Sequence, residues 1–353
     1  MSIYDSKLWI SDLDETIEAL PELRELVRKK IMITGCTGLI CSAVVDVLIR
    51  YNETRAGKVT ILAAARSERK LRDRFGKYVD RPYFRFVPYD ATRPELNTAE
   101  KADYIIHGAS NAFPEMIIKE PVETMMSNFM GLLGLLEYGR KDGTRRLLCI
   151  SSSEVYGKKD SSEPYREKQY GYIDLLDPRS SYSVGKRAAE TLCVSYAAEY
   201  GVETVIVRPG HIYGPTASPL DNRVSSAWTW AAARGEDIIM KSDGTQLRSY
   251  CYCLDCASAV LKVLLKGKNV HTYNISNPDS VISILEMAEI LSKSAGVALK
   301  KELPTEAERK GFNPMSNSCL DSSELLALGW KGLFDAERGL SHTVEIIKKI
   351  IKK

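Results

Sequence analysis

Hydrophobic positions change period repeatedly along the chain, and the changes divide it into elements. Between residues 11 and 29, Leu13, Ile17, Leu20, Leu23, Leu26 and Val27 recur at helical spacing. Ser11 or Asp12 is the expected N-cap, and Pro21 is expected to divide the helix in two. At Lys30 to Thr34 the pattern becomes a short apolar strand, a glycine-bearing turn follows, and Leu39 to Tyr51 returns to helix. Apolar strands at Val59 to Ala65, Phe84 to Tyr89, Tyr104 to His107, Arg146 to Ser151 and Glu203 to Val207 then alternate with helices over 122–138 and from Ser181 to Gly201. Strands alternating with helices predict an α/β fold: a Rossmann-type, doubly wound parallel sheet with helices on both faces. Beyond Arg208 the pattern loosens into loops, shorter elements and a helix over 224–234, in which Trp228 and Trp230 read as packing residues. The expected organisation is an N-terminal helical extension (1–29), a dinucleotide-binding domain (30–210), and a smaller α/β substrate-binding domain (mainly 211–353) interleaved with it.

Composition fits this picture. With 353 residues, 44% of them hydrophobic, the chain can bury the core that two domains need. Lys and Arg number 49 against 46 Asp and Glu, with no basic run apart from the terminal KKIIKK, which reads as a solvated helix end; nucleic acid is therefore not an expected partner. Asp5, Asp12, Asp14 and Glu15 stand where a signal peptide needs an apolar core, and no segment has the length of a membrane span, so the expected location is the cytoplasm. Eight scattered cysteines fit reduced thiols. Cys251, Cys253 and Cys256 have no second CxxC or nearby His to complete four ligands, and read as packed thiols on a strand-to-helix junction; no metal is expected.

Two clusters carry chemistry. Thr34-Gly35-Cys36-Thr37-Gly38-Leu39-Ile40-Cys41 follows a strand and opens a helix, where backbone N–H groups of Gly35, Thr37, Gly38, Leu39 and Ile40 can reach a pyrophosphate. Its third fingerprint position is Cys41. The second strand ends in Ala65-Arg66-Ser67, without the acid that holds an adenosine ribose, so the expected cofactor is NAD with NADP left open; Asp90 is placed to meet the adenine edge. The other cluster is Ile150 to Gly157, ISSSEVYG, with Tyr182 and Lys186 at i and i+4 on one helix face. A free Tyr titrates at about 10, and a neighbouring cation together with the positive nicotinamide of an oxidised cofactor favours the phenolate, which makes the pair a usable general base.

These residues resemble the extended short-chain dehydrogenase/reductases, the NAD-dependent epimerase/dehydratase family acting on nucleotide sugars. The pattern is most similar to that of the UDP-glucuronate decarboxylases (UDP-xylose synthases). The likeness rests on HGASNAFP at 107–114, ISSSEVYG, RSSYSVGKRAAETL at 179–192, IYGP at 212–215, NRVSS at 222–226 and DGTQLRSYCYCLD at 243–255. LGW at 328–330 and the SHTVEII helix complete it. The resemblance implies transient oxidation of sugar C4, with Ser152 on the reacting hydroxyl, Tyr182 as base and Lys186 as its partner. Ser153 and Glu154 stand where subfamilies differ, and Ser-Glu matches the decarboxylase pattern. Arg248 is implied near the sugar carboxylate. Ala109, Ser110, Asn128, Tyr182 and Lys186 are implied for the cofactor, and Asn111, His211, Arg223 and Arg248 for a nucleoside-diphosphate sugar.

Several positions depart from the family pattern. His211 replaces an Asn, and the loop after HGASNAFP reads EMIIKEP without aromatic residues. A nucleotide-sugar 4-epimerase or 4,6-dehydratase therefore stays open, as does a non-catalytic, cofactor-binding regulatory protein. The resemblance also implies a homodimer, paired through the helices at 122–138 and 182–200.

Overall fold

The computed structural model describes residues 2–304 and 317–351. Its strands are β1 (Lys30–Thr34), β2 (Thr60–Ala65), β3 (Phe84–Pro88), β4 (Tyr104–His107), β5 (Arg146–Ile150), β6 (Thr204–Pro209), β7 (His211–Tyr213), β8 (Ile238–Met240), β9 (Leu247–Tyr252), β10 (His271–Ile275), β11 (Val281–Ser283) and β12 (Leu299–Lys301). The principal helices are α1 (Lys7–Glu18), α2 (Leu39–Arg55), α3 (Glu68–Phe75), α4 (Pro114–Lys119), α5 (Pro121–Asp142), α6 (Ser180–Tyr200), α7 (Val224–Arg234), α8 (Cys253–Lys266) and α9 (Ile284–Ala295), followed by a C-terminal helix Ala336–Ile351.

Seven strands form one sheet in the order β10-β6-β5-β4-β1-β2-β3, and every pairing in it is parallel. Alternate residues feed opposite faces. Ile31, Ile33, Ile61, Ile106, Leu148 and Val205 join one core with α2 and α8, whereas Met32, Leu62, Ile105, Leu147 and Ile206 join another with α5 and α6. That double burial is why the strands read as nearly continuous apolar runs. Strand order reverses between β1 and β4, and a crevice outside the carboxyl ends of parallel strands at such a point is where a doubly wound sheet binds its ligand. The later strands build smaller sheets, β11-β9-β7 and β12-β8, although β10 returns to the main sheet beside β6.

The N-terminal segment differs from its expected form. The helix starts at Lys7, capped by Ser6, whose hydroxyl accepts the Trp9 N–H; it ends at Glu18, and Pro21–Leu26 is a 3-10 helix. Ser11 and Asp12 lie inside the helix, so neither is its cap. Asp12 is buried, and its carboxylate accepts from the Tyr252 hydroxyl at 3.1 Å and sits 3.0 Å from His342 Nδ1. Trp9, Leu13, Leu23 and Leu26 share the core of α2 and α8. Ion pairs Arg50–Asp14 (2.7 Å), Lys262–Glu22 (2.6 Å) and Arg338–Glu15 (2.5 Å) fasten the segment to α2, α8 and the C-terminal helix.

Helix α3 was invisible in the hydrophobic pattern because only Leu71 and Phe75 are buried in a mostly charged segment. Cys251, Cys253 and Cys256 are free, buried thiols at the β9–α8 junction. In the basic terminal cluster, Lys348 and Lys349 lie in the last helical turn, whereas Lys352 and Lys353 fall outside the described residues.

Because Leu13 is fully buried, Leu13→Ala should lower unfolding free energy by about 2–5 kcal/mol, the range for truncating a packed leucine. Chemical denaturation checks this; a loss below about 1 kcal/mol would mean that the segment contributes little to the core.

Candidate active site

The turn after β1 is shaped by close approach. Gly35 adopts φ +67°, and a Cβ there would lie 2.7 Å from Gly108 O and 2.8 Å from Ala109 N. Only glycine meets both demands. The Gly38 N–H donates to Gly35 O at 2.8 Å to close the turn, and Gly38, as N-cap of α2, offers the first helical N–H groups no side-chain acceptor. Thr37 and Gly38 are exposed, with Leu39 and Ile40 half-buried behind them. The third fingerprint residue, Cys41, is buried, and its thiol occupies the space that a side chain at Gly108 would need. The glycine has in effect moved to the facing strand end. Thr34 Oγ1 accepts from the N–H groups of Gly108 (3.1 Å) and Ala109 (3.2 Å) and lies 2.9 Å from His107 Nδ1, which ties β1 to β4 at the switch point.

Uncapped N–H groups, a glycine cradle and an open crevice fit a dinucleotide diphosphate. Ala109, Ser110 and Asn111 continue from the end of β4, half-buried, and the Asn111 amide donates to Glu120 at 3.4 Å. Asn128 is buried in α5; its Nδ2 donates to Thr124 O at 2.8 Å, and its Oδ1 has no hydrogen-bond partner among the described residues. At the other end Arg66 and Asp90 share an open cleft of about 350 Å³ with Pro88, Tyr89, Glu95 and Asn97. Hydrogen bonds from the Thr92 backbone and hydroxyl hold Asp90 below the usual carboxylate range.

The catalytic candidates converge at the carboxyl end of β5. Ser152 caps the 3-10 helix Ser153–Tyr156, accepting the Glu154 N–H at 3.2 Å, and so stands at the strand's exit. Tyr182 and Lys186 face it from the first two turns of α6, both buried. The Lys186 ammonium donates to Ile150 O at 2.7 Å and lies 5.8 Å from the centre of the Tyr182 ring. Burial pushes the Tyr182 phenol up to about 12; the Glu154 charge adds to the rise, while a hydrogen bond with Ser152 and the charges of Arg223 and Arg179 oppose it. In the protein by itself desolvation outweighs the nearby cations, so the expected lowering of this phenol needs the positive nicotinamide as well. Lys186 is itself pushed down by burial.

Glu154 is not free. Arg179 donates to both of its carboxylate oxygens, at 3.0 and 3.1 Å, and the Ser183 hydroxyl adds a third bond at 3.2 Å. A bidentate guanidinium fixes a carboxylate's direction as well as its charge. Ser153, next to it, is half-buried.

Beneath the site lies an ion pair that sequence reading missed. Glu190 accepts from Arg208 Nε at 2.8 Å and Nη2 at 2.6 Å, and from the Ser151 hydroxyl at 2.5 Å. The arginine is 1% exposed, its guanidinium stacked 4.8 Å from the Tyr156 ring and 5.2 Å from Tyr170. Glu190 follows Lys186 by four residues, as Lys186 follows Tyr182, so the spacing of one helix face already contained the signal.

Across the site, His211 opens β7, and its Nε2 lies 2.9 Å from Ser318 Oγ. Burial pushes it down to about 3, helped by the charges of Arg248 and Arg223, so the imidazole is neutral. Arg248, buried in β9, donates to Leu247 O at 2.8 Å, and Arg223 is held by the buried Asp221 at 2.5 Å. Two guanidiniums around a neutral imidazole form a basic pocket suited to phosphate or carboxylate. The site residues thus fall into three groups: the glycine cradle, the Ser152–Tyr182–Lys186 cluster with its clamped Glu154, and the basic pocket. Arg66 and Asp90 mark the far, adenosine end.

This fold and site define a dinucleotide-dependent enzyme, and the chain belongs to the NAD dependent epimerase/dehydratase family, whose model matches residues 31–276. Among its relatives, UDP-glucuronic acid decarboxylase 5 of Arabidopsis thaliana is 32% identical over 88% of this chain and 87% of that protein. UDP-glucuronic acid decarboxylase 1 of Xenopus tropicalis is 30% identical over 93% of this chain and 74% of that protein. The fold matches UDP-glucuronic acid 4-epimerase from Bacillus cereus, solved with UDP-glucuronic acid and NAD, with a TM-score of 0.75 at 23% identity over 91% of this chain and 97% of the other.

Glu190→Ala should leave the Arg208 charge buried and unpaired, and cost about 3–5 kcal/mol of stability. Urea unfolding measures this; a cost under about 1 kcal/mol would show that the pair does not hold α6.

Proposed function

We propose that this enzyme oxidises C4 of a nucleoside-diphosphate glucuronate and releases its C6 carboxylate as carbon dioxide, forming a nucleoside-diphosphate pentose. The observation that carries the reading is Tyr182, buried beside Ser152 and one helical turn from Lys186, facing a basic pocket of Arg248 and Arg223. The glycine cradle, Asn128 and the strand end at Ala109 and Ser110 hold a nicotinamide dinucleotide, which when bound supplies the hydride acceptor and a positive charge beside the phenol. Ser152 donates to the C4 oxygen and Tyr182 takes its proton. Lys186, held by Ile150 O, keeps positive charge beneath the phenol.

Ketone formation at C4 makes the C6 carboxylate part of a β-keto acid. The C5–C6 bond then breaks, its electrons pass to the C4 oxygen, and the resulting enolate is stabilised by the Tyr182 and Ser152 hydroxyls. Water supplies a proton to C5, a bound nicotinamide would return its hydride to C4, and Tyr182 gives its proton back to the oxygen. Arg248 orients the carboxylate before it leaves, while Arg223, His211 and Asn111 position the diphosphate sugar. The bidentate Arg179 contact supports this reading over dehydration, because a carboxylate engaged at both oxygens is poorly placed to donate a proton to a departing C6 hydroxyl. The same contact fits a 4-epimerase, which needs no acid there.

The proposed enzyme works as a cytoplasmic homodimer. Val122, Met125 and Met126 of α5 and Val194 of α6 remain exposed on helices that pack against each other, and among the described residues no helix is long and apolar enough to cross a membrane.

Purified protein given UDP-glucuronate and NAD should release carbon dioxide and a UDP-pentose; neither product appearing rejects decarboxylation. Tyr182→Phe should lower kcat by at least about 100-fold, the contribution of a positioned acid–base group. Product analysis of the same reaction separates the two readings, since a 4-epimerase would return a UDP-hexuronate with its carboxylate intact.

A further inference from the structure

The adenosine end of the crevice differs from what a strictly NAD-selective site requires. β2 ends at Ala65, paired in register with Pro88 of β3, and the chain leaves the sheet through Arg66 and Ser67. The turn that cradles the diphosphate lies against this strand, with the Cys36 thiol donating to Ala64 O at 3.7 Å. In a doubly wound sheet, residues at this place meet the 2′ position of the adenosine ribose: an acid there accepts the hydroxyl and repels a phosphate, and an arginine attracts it. No acid stands at 65, 66 or 67.

Arg66 is exposed at the rim of the cleft, and among the described residues it forms no ion pair. Lys70, one turn into α3, is likewise exposed and outside every ion pair. The neighbouring cations are already committed: Arg72 to Asp80 at 2.8 Å, and Arg74 to the buried Asp46 at 2.5 Å. The Ser67 hydroxyl accepts from Lys70 N at 3.4 Å and keeps its own proton to donate. Two acids share the cleft, Asp90 and the exposed Glu95, but both follow β3 rather than β2; Asp90 feels the Arg66 charge, and its Oδ1 takes both the N–H and the hydroxyl of Thr92. The end of β2 therefore places the exposed Arg66 guanidinium in the cleft, with the Ser67 hydroxyl and the Lys70 ammonium following it in the chain and no carboxylate at positions 65–67.

We propose that Arg66, with Ser67 and Lys70, receives a 2′-phosphate, so that this chain binds NADP at least as tightly as NAD. The inference concerns the ribose end of the cofactor and leaves the reaction assigned above unchanged for either dinucleotide, although it rests on the same cofactor crevice. The test is isothermal titration of cofactor-stripped protein with NAD⁺ and with NADP⁺, repeated with Arg66→Ala and Ala65→Asp. NADP⁺ should bind with a Kd equal to or below that of NAD⁺. Arg66→Ala should lower the ratio of NADP⁺ to NAD⁺ affinity by roughly tenfold, the value of one charge-assisted contact. Ala65→Asp should shift the ratio in the same direction by repelling the phosphate. NAD⁺ binding more than roughly tenfold tighter to the unaltered protein, or an unchanged ratio in Arg66→Ala, would overturn the proposal while leaving the cofactor crevice intact. Binding of neither dinucleotide would overturn the crevice assignment as well.

Discussion

The buried pair between Glu190 and Arg208 is the interaction on which the site depends. It joins three elements through one buried set of side chains: α6, which carries Tyr182 and Lys186; β6, which carries the arginine; and the end of β5, through the Ser151 hydroxyl. Two desolvated charges are expensive unless every polar position is satisfied. Here the carboxylate takes two guanidinium N–H groups and one hydroxyl, while the remaining guanidinium N–H groups reach Glu167 O at 2.7 Å and the Tyr170 hydroxyl at 2.7 Å. A network so fully paired permits one arrangement of helix and strand, and that arrangement sets the distance from Ser152 to the phenol.

From this anchor the electrostatics of the site follow. Tyr182 and Lys186 are both buried, and burial disfavours the charged form of each: the phenol rises and the ammonium falls. The protein thus holds an acid–base pair whose charged states are costly until a substrate hydroxyl and a cofactor share the space. Glu154 would raise the phenol further, and Arg179 restrains it by fixing its carboxylate. Across the cleft, burial, helped by two guanidiniums, keeps His211 neutral, so the imidazole contributes a hydrogen bond and the arginines the charge. Stability and chemistry share the N-terminal half of the sheet in another way: the helix that opens at the cofactor turn is held from behind by Asp14, and its buried Asp46 by Tyr4 at 2.5 Å and Arg74.

Much of the fold was legible because parallel strands buried on both faces leave apolar runs that few other structures produce. β1, β2, β4, β5 and β6 emerged within a residue or two of their bounds, as did α5 and α6 near Val122 and Ser181. What the pattern hid has physical causes. Helix α3 buries only two side chains, and β10 lies far along the chain from the sheet it completes. The N-cap of α1 moved to Ser6 because Asp12, a good capping residue by type, is used as a buried acceptor for Tyr252 and His342. In the candidate site, motif and spacing pointed to Ser152, Tyr182 and Lys186, which the fold brings together at the end of β5. Glu190 was marked by its helical spacing from Lys186, but its pairing with Arg208 and the Arg179–Glu154 contact form across 18 and 25 residues of chain, which no local pattern reveals. The missing third glycine was legible as a departure, but its compensation by Gly108 required the facing strand.

The central claim is that one bound nicotinamide removes hydride from sugar C4 and returns it to the same carbon, with Tyr182 handling the proton. UDP-glucuronate carrying deuterium at C4, converted in ordinary water, tests this most directly. The account predicts a UDP-pentose that retains deuterium at C4, with no net change in cofactor oxidation state after many turnovers. Loss of the label to solvent, or stoichiometric accumulation of reduced cofactor, would contradict it.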